Sequence, residues 1–227
     1  MYFPLSTGIA HMTKAKSKAR SLTTSQINKV LKRCLLMQNA ELKRVVIALS
    51  FSTLRVSELA QITVADVIMP TGKIKDEIHL RASLCKRRKP RSIWLGRVAK
   101  HMFQEWIDYR KARNWATTFD DCYQVNPSSK LVLNNRGRSY SMKRKTRMNQ
   151  SGGRVDYSAC DVLELMIRNI NQRTGFKGCS SHATIMNRQG VALGVIQRTL
   201  GHSEPSMSLE YIDVLPEQLT QAADMAF

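Results

Sequence analysis

The chain has 227 residues, a length that suits one domain or one domain with an arm, and 43% of them are hydrophobic, enough for a core. Its 36 lysines and arginines against 17 aspartates and glutamates give a formal charge of +19. This excess indicates a polyanionic partner, nucleic acid, with an anionic membrane surface as the alternative. No apolar run approaches the roughly 18 residues that a spanning helix needs, which excludes a transmembrane protein. The N-terminus is apolar first and basic later, the reverse of a secretory signal.

The cysteines are odd in number and scattered, without a C-x-x-C pair. They are Cys34, Cys85, Cys122, Cys160 and Cys179. This pattern indicates neither a zinc site nor a disulfide framework. We therefore expect a cytoplasmic protein with reduced thiols and no metal or other cofactor.

The N-terminal part of the chain is predicted to be helical after a basic arm. Residues 1–22 carry alternating cations without an apolar face, which predicts either a flexible arm that touches phosphates or a solvated tail. Thr23 or Thr24 caps a helix with apolar residues at helical spacing. A second helix is predicted over residues 41–53.

Arg55 follows at a helix–helix junction, between the apolar Leu54 and Val56. Flanking core residues would hold this arginine so that its guanidinium presents a fork to a phosphate. The alternative is an arginine held by a salt bridge to Glu58. The residues alone leave both interpretations open.

Between residues 64 and 95 the apolar pattern changes to alternation, which predicts a small antiparallel sheet of two or three strands. The basic turn C-K-R-R-K-P-R at 85–91 is expected at a hairpin tip. Its cations repel one another unless a polyanion neutralises them, so a solvated hairpin is the lesser alternative. The DNA contacts expected from this turn, besides Lys86, are Arg87, Arg88, Lys89 and Arg91.

The middle of the chain is predicted to alternate amphipathic helices with irregular segments. Helices are expected over 96–112 and 161–173, and a short strand over 130–133. The stretch 134–154 is basic, contains glycine and serine and lacks an apolar period, which predicts an exposed loop, partly disordered when free, that contacts sugar-phosphate. Its expected DNA contacts are Arg136, Arg138, Lys143, Arg144, Lys145 and Arg147. The apolar residues expected to face inward from the two helices are Val98, Met102, Trp106, Ile107, Val162, Leu163, Leu165, Met166 and Ile170.

The C-terminal part reads as a helix, a turn and a second short helix. Gly201 can adopt the positive φ that ends the first helix, so His202 lies on the turn and Tyr211 nine residues later. A turn histidine and a tyrosine hydroxyl can converge on one phosphate, which makes Tyr211 a candidate nucleophile. The alternative is a helix C-cap followed by a core tyrosine. His182, read alone, is a residue of the first turn of a short helix.

Together these segments resemble the tyrosine recombinase (phage integrase) family over about residues 23–214. T-L-R-V-S-E-L at 53–59 is similar to the family's T-G-L-R-x-S-E-L box, and the basic turn to its T-K-G-x-K-x-R hairpin. L-G-H at 200–202, with Tyr211 after it, is similar to the L-G-H…Y signature. The resemblance implies an α+β fold that is mainly α-helical, the family's catalytic domain with a small antiparallel sheet on one side. It also implies a helical tail at 215–227 that docks on a neighbouring subunit or packs on its own.

The resemblance implies the chemistry as well. Tyr211 would attack a phosphodiester to give a 3′-phosphotyrosine and a free 5′-hydroxyl, without a cofactor. Arg55 would clamp the phosphorane and Lys86 would be the general acid. His202 would hydrogen-bond a non-bridging oxygen, and His182 would assist proton transfer. The implied substrate is double-stranded DNA bound by a homotetramer in the nucleoid, with no membrane and no small-molecule substrate.

One family residue is missing. The family has a second arginine three residues after the histidine that His182 matches, whereas this chain has Ile185 there. Arg188 lies about 240° further round a helix from His182, and roughly six residues of the family pattern are absent. Losing one preorganised charge donor lowers a rate by ~10²–10³.

The sequence therefore predicts a DNA strand-exchange enzyme of a mobile genetic element that carries out site-specific recombination or integration. The alternative is a catalytically impaired, recombinase-like DNA-binding protein with an accessory or regulatory role. A related relaxing topoisomerase fits less well, because the motifs are integrase-like.

Overall fold

The computed structural model describes residues 22–85, 88–119, 124–149, 152–175, 181–201 and 204–209, with backbone alone at 181–183, 188 and 205. Several features expected from the sequence therefore lie outside the described residues. They are the arm up to residue 21, Lys86, Arg87, His202, Tyr211, the tail 215–227, Cys122 and Cys179.

The described part of the chain is mainly helical and contains two separate two-stranded antiparallel sheets. The helices are α1 (Thr24–Cys34), α2 (Ala40–Phe51), α3 (Val56–Leu59), α4 (Val64–Val67), α5 (Arg97–Ala112), α6 (Asp161–Thr174), α7 (Ser181–Arg188), α8 (Leu193–Leu200) and α9 (Pro205–Leu209). The strands are β1 (Glu77–Leu80), β2 (Arg91–Trp94), β3 (Lys143–Met148) and β4 (Arg154–Ala159). This is the mainly helical α+β fold that the sequence predicts, with a second small sheet in addition. None of the described helices is both long and apolar enough to cross a membrane.

The first helix begins where the capping signals predict. The Thr23 hydroxyl accepts the Gln26 N–H at 3.3 Å, and the Gln26 side chain accepts the Thr23 N–H at 2.8 Å. This reciprocal capping box satisfies two of the donors that the start of a helix leaves without partners. Helix α2 packs against α1 and α5 and buries Leu42, Val45 and Leu49 almost completely. Helices α1 and α2 thus form one wall of the core.

The core is closed by α5 and the β1–β2 hairpin. Ile78 of β1 lies opposite Ile93 of β2, and both side chains are fully buried. Trp106 of α5 is fully buried and its indole N–H donates to the Leu131 carbonyl at 2.9 Å, which confirms its predicted place in the core. Leu131, Val132 and Leu133 are buried and Lys130 is half-buried, but only Lys130 and Leu133 form isolated bridges, so the predicted strand is wrong.

Three apolar residues predicted to face inward are exposed. They are Val98 of α5 and Val162 and Leu165 of α6, all more than half exposed. Helix α6 contacts α1 and α2 through the narrow face that carries Leu163 and Ile170. Val162 is one residue, about 100°, away from that face, and Val98 lies at the same angle from the buried Ala99.

The basic stretch predicted as a loop contains an exposed β-ribbon instead. Strands β3 and β4 pair along their length, with Lys145 opposite Tyr157 and Thr146 opposite Asp156. Thr146 donates to Asp156 at 2.6 Å, and Arg147 lies over the Tyr157 ring at 5.6 Å. Because both faces of most of the ribbon are exposed, it has no apolar alternation, and cross-strand polar pairs stabilise it instead.

Arg110 is a fully buried cation that the sequence pattern does not reveal. It lies on the inward face of α5, one turn beyond Trp106. Its guanidinium donates to the Lys130 and Leu131 carbonyls at 3.1 and 3.2 Å and to the Ser129 hydroxyl at 2.9 Å. Burial lowers the pKa of Arg110 to about 10. This side chain fastens the irregular segment 126–133 to the helix.

We expect Arg110→Ala to lower the free energy of unfolding by about 3 kcal/mol, because it opens a cavity and removes the N–H donors that bind the Lys130 carbonyl and the Ser129 hydroxyl. Arg113→Ala, at the exposed end of the same helix, is the matched control and should change stability by less than about 1 kcal/mol. Urea unfolding followed by circular dichroism measures both. Equal losses in the two variants would contradict the structural role given to Arg110.

Candidate active site

The candidate active site is organised around the Glu58 carboxylate, which is fully buried. Glu58 is the third residue of α3, and its Oε2 accepts the backbone N–H of Arg55 at 2.9 Å. Its Oε1 accepts from Arg55 Nη1 at 2.9 Å, and its Oε2 also accepts from Arg91 Nη2 at 2.6 Å. One carboxylate therefore binds two guanidiniums and also caps the N-terminus of α3.

The two arginines differ in exposure. The Arg55 side chain is 38% exposed, whereas that of Arg91 is 7% exposed. Arg55 thus forms the salt bridge to Glu58 that one interpretation of the sequence predicts, and its guanidinium is still open to solvent on one side. Arg91 begins β2 and points into the protein rather than lying on the hairpin tip.

Arg91 joins the cluster to the turn before Arg55. Its Nη2 also donates to the Thr53 carbonyl at 2.7 Å. Its Nε and Nη1 are buried and have no hydrogen-bond partner within the described part of the chain. The guanidinium is therefore held through Nη2, whereas Nε and Nη1 have no acceptor among the described residues.

Thr53 occupies the position where the resembling family motif has glycine, and it keeps the backbone that glycine would favour. Its φ is +72°, which is an outlier for a β-branched residue. The Thr53 carbonyl accepts from Arg91, and its hydroxyl donates to the Thr199 carbonyl at 3.4 Å. Contacts to β2 and α8 thus hold this strained turn.

The C-terminal end of helix α8 lies against the Arg91 side chain. Gly201 is its C-cap, with φ +66° in the left-handed region, as predicted. A Cβ at Gly201 would overlap Arg91 Cδ, so only glycine allows this approach. The structure therefore brings together three distant segments: the Arg55–Glu58 turn, the start of β2, and the residues that precede His202.

The cluster also affects the neighbouring Cys85. Burial raises the pKa of the Cys85 thiol, and the Glu58 carboxylate raises it further, while the Arg91 and Arg55 guanidiniums act in the opposite direction. The thiol is therefore protonated at neutral pH, which is the state of an unreactive buried cysteine.

His182 is the second residue of α7, and its side chain lies outside the described residues. The position three residues on is Ile185, which is half-buried, so no arginine is present at that step of the helix. Helices α7 and α8 pack together around the fully buried Ile196. This small second core, in which Met186, Val191 and Leu200 surround Ile196, contacts β2 through α8.

Most of the cations expected to contact DNA are exposed where they are described. They are Arg88, Lys89, Arg136, Arg138, Lys143, Arg144 and Arg147, while Lys145 is half-buried. Some have partners within the chain, since Arg144 pairs with Asp156 at 2.6 Å and both ribbon lysines pair with Asp161. Within the described residues, no group of three histidine, cysteine or acidic side chains is arranged to hold a metal ion.

Comparison with known proteins gives one family and one fold. The family model described as "Phage integrase family" matches residues 20–218. The crystal structure of XerA recombinase has a TM-score of 0.62 at 16% identity, covering 91% of this chain and 65% of its own. The post-cleavage complex of XerH recombinase on palindromic difH substrate has a TM-score of 0.60 at 17% identity, covering 92% and 53%.

The Tn1549 transposon integrase in complex with a circular intermediate DNA is a further similar structure. Its TM-score is 0.57 at 15% identity, covering 93% of this chain and 67% of its own. At such identities the likeness concerns the fold. The chain spans between about half and two thirds of the length of these three proteins.

We expect Gly201→Ala to lower the free energy of unfolding by about 2–3 kcal/mol, since it adds both an unfavourable φ and an overlap with the anchored Arg91 side chain. The matched control is Gly175→Ala, because Gly175 also ends a helix, has φ +79° and has no atom within 4 Å of an added Cβ. The control should lose only about 1 kcal/mol. Equal losses in urea unfolding would show that Gly201 does not press on Arg91.

Proposed function

The chain belongs to the phage integrase family, and on this premise we propose that it performs site-specific DNA recombination or integration as a tyrosine recombinase. The supporting observation is the cluster of Arg55, Glu58 and Arg91 at the point where the segment before His202 meets the start of β2. A half-exposed guanidinium whose placement is fixed by a buried carboxylate suits a phosphate clamp. We assign the catalytic domain to residues 23–214.

The proposed reaction uses residues of the chain and no cofactor. The Tyr211 hydroxyl attacks the scissile phosphorus, forming a 3′-phosphotyrosine as the bond to the 5′-oxygen breaks. Lys86 protonates the leaving oxygen and His182 assists proton transfer. Arg55 and His202 bind the non-bridging oxygens. Attack by a 5′-hydroxyl of another strand reverses the step and exchanges the strands.

The proposed partner is double-stranded DNA, in the nucleoid, with a homotetramer as the assembly that exchanges strands between two duplexes. The net charge of +19 and the exposed cations of the β3–β4 ribbon support DNA binding. The similar XerH and Tn1549 structures are complexes with DNA, and a similar lambda integrase dimer is bound to a COC′ core site.

A second candidate function is supported by one specific observation. Ile185 stands where the family's second arginine would be, so half of the direct phosphate clamp is absent. A recombinase-like protein that binds DNA and cleaves it poorly would act as an accessory or regulatory factor.

A nicked suicide substrate carrying the DNA that flanks the gene separates the two functions. We expect a covalent protein–DNA adduct with the unaltered chain and none with Tyr211→Phe, which removes the nucleophilic oxygen and keeps the ring. Denaturing gel electrophoresis of the labelled strand measures the adduct. Salt-sensitive DNA binding without any adduct would favour the second function.

The same assay tests the cause of any slow cleavage. Inserting Ser-Gly-Arg-Arg-Thr-Phe after His182 restores the family pattern and should raise the adduct rate by ~10²-fold if the missing arginine limits it. A variant with the same insertion but glutamine at both arginine positions is the length-matched control. Equal rates with the two insertions would show that the missing charge is not the limit.

The β-ribbon cations should contribute to DNA affinity mainly through phosphates. Among the described residues Arg147 has no acidic partner, so Arg147→Gln should weaken binding uniformly across DNA sequences and reduce the slope of log K against log salt by about 0.9. Arg113→Gln, at the end of α5, is the control and should leave the slope unchanged. Fluorescence anisotropy at several salt concentrations measures both. An unchanged slope for Arg147→Gln would exclude a phosphate contact.

A further inference from the structure

The charges of the candidate active site do not balance. Among the ion pairs of the described residues, Arg55 and Arg91 share one acidic partner, Glu58. By contrast Arg44, whose side chain is 14% exposed, pairs with Glu105 at 2.6 Å, a carboxylate that it shares with no other arginine of the described residues. Two guanidiniums and one carboxylate leave a net charge of +1 in a site that is largely removed from water.

The burial of the three side chains shows where this charge is presented. Glu58 is fully buried and Arg91 is 7% exposed, so neither faces solvent, whereas Arg55 is 38% exposed. Arg91 cannot easily move outward, because Thr53 and Glu58 hold its guanidinium and Gly201 covers its Cδ. Of these three side chains, Arg55 alone can therefore present the surplus charge to an anion.

The buried carboxylate would by itself weaken such a site. A lone Glu58 fixes Arg55 through two hydrogen bonds but also neutralises it, and a neutral ion pair attracts a phosphate poorly. Arg91 removes this conflict, because it neutralises Glu58 from the interior. Glu58 can then orient Arg55 without cancelling its charge.

We infer that Arg91 is a positioning residue of the phosphate site, which compensates Glu58 so that Arg55 is held in place and keeps its full positive charge for a phosphate. The inference rests on the proposed function for the identity of that phosphate as part of DNA. It differs from the sequence expectation that Arg91 itself contacts DNA. It also gives Arg91 part of the electrostatic role of the missing arginine.

The test uses inorganic phosphate as the probe and charge-restoring variants as the readout. Thermal unfolding is measured in increasing phosphate, with chloride at matched ionic strength as the reference, and the rise in Tm gives an apparent phosphate affinity. We expect Arg91→Met to lower this affinity about tenfold, the scale of removing one nearby unit charge. Glu58→Gln in the Arg91→Met background returns the cluster to +1 and should restore the affinity to within about threefold of the original.

Two further variants serve as controls. Arg55→Gln removes the exposed guanidinium and should abolish the phosphate-specific rise in Tm. Arg44→Met removes a half-buried arginine of α2 that is paired with Glu105 instead of Glu58, and it should leave the phosphate affinity unchanged even if it lowers Tm. If Arg91→Met does not fold, Glu58→Gln alone carries the test, because its cluster has a charge of +2 and should bind phosphate more tightly than the unaltered chain.

A purely packing role for Arg91 gives a different pattern. The double variant would then bind phosphate as weakly as Arg91→Met, and Glu58→Gln would not gain affinity; either result overturns the inference. No phosphate-specific rise in the unaltered chain, relative to Arg55→Gln, overturns it as well.

Since the titration requires no cleavage and no known DNA site, it is independent of the adduct assay. A missing adduct would count against the proposed reaction, and a failed charge restoration against the role of Arg91.

Discussion

The described fold of the site depends on one buried carboxylate. Glu58 belongs to α3, a helix of four residues that is too short to be stable alone, and its own side chain supplies the acceptor for the first N–H. Burying a carboxylate is strongly unfavourable unless charged donors surround it. The guanidiniums of Arg55 and Arg91 provide that environment, and the backbone N–H of Arg55 adds a third hydrogen bond. Because one donor comes from β2, the hairpin contributes to the stability of this short helix.

The position of helix α8 also depends on this polar cluster. Arg91 lies under Gly201, and Thr53 contacts Thr199, so the end of α8 is placed by the same polar cluster. The small core of α7 and α8 offers little additional apolar anchoring, since within the described residues Ile196 is its one buried hydrophobic residue. Polar contacts rather than a large apolar interface therefore set where the segment before His202 lies. Such a region opens at a lower free energy than the main core around α2 and α5.

The sequence predicts the features that depend on local or periodic signals. The Thr23 cap, the buried side of α2, Trp106 and the left-handed Gly201 all follow from residue type and spacing. A charged residue carries no such signal, because its burial depends on acceptors that distant segments supply. Arg110 is buried by carbonyls about twenty residues later in the chain.

Arg91 and the β3–β4 ribbon are two further features that local sequence signals do not predict. In the sequence Arg91 belongs to a run of cations, and nothing local indicates that Glu58, 33 residues earlier, pairs with it. The ribbon has no apolar side to produce alternation, so its strands read as a loop. The missing signal is in both cases a partner that only the tertiary structure identifies. Conversely, Val162 and Leu165 carry a core signal but lie beyond the face of α6 that its neighbours cover.

A compensating charge inside the protein cannot replace every function of a second arginine. It raises the positive potential at Arg55, which acts on the phosphate both before and during the reaction. It does not add N–H donors aimed at the oxygens of the phosphorane, and interactions of that kind are what distinguish the transition state from the bound substrate. A site built in this way therefore favours binding of the phosphate over acceleration of its cleavage. In such a chain, phosphate affinity and strand cleavage need not change together.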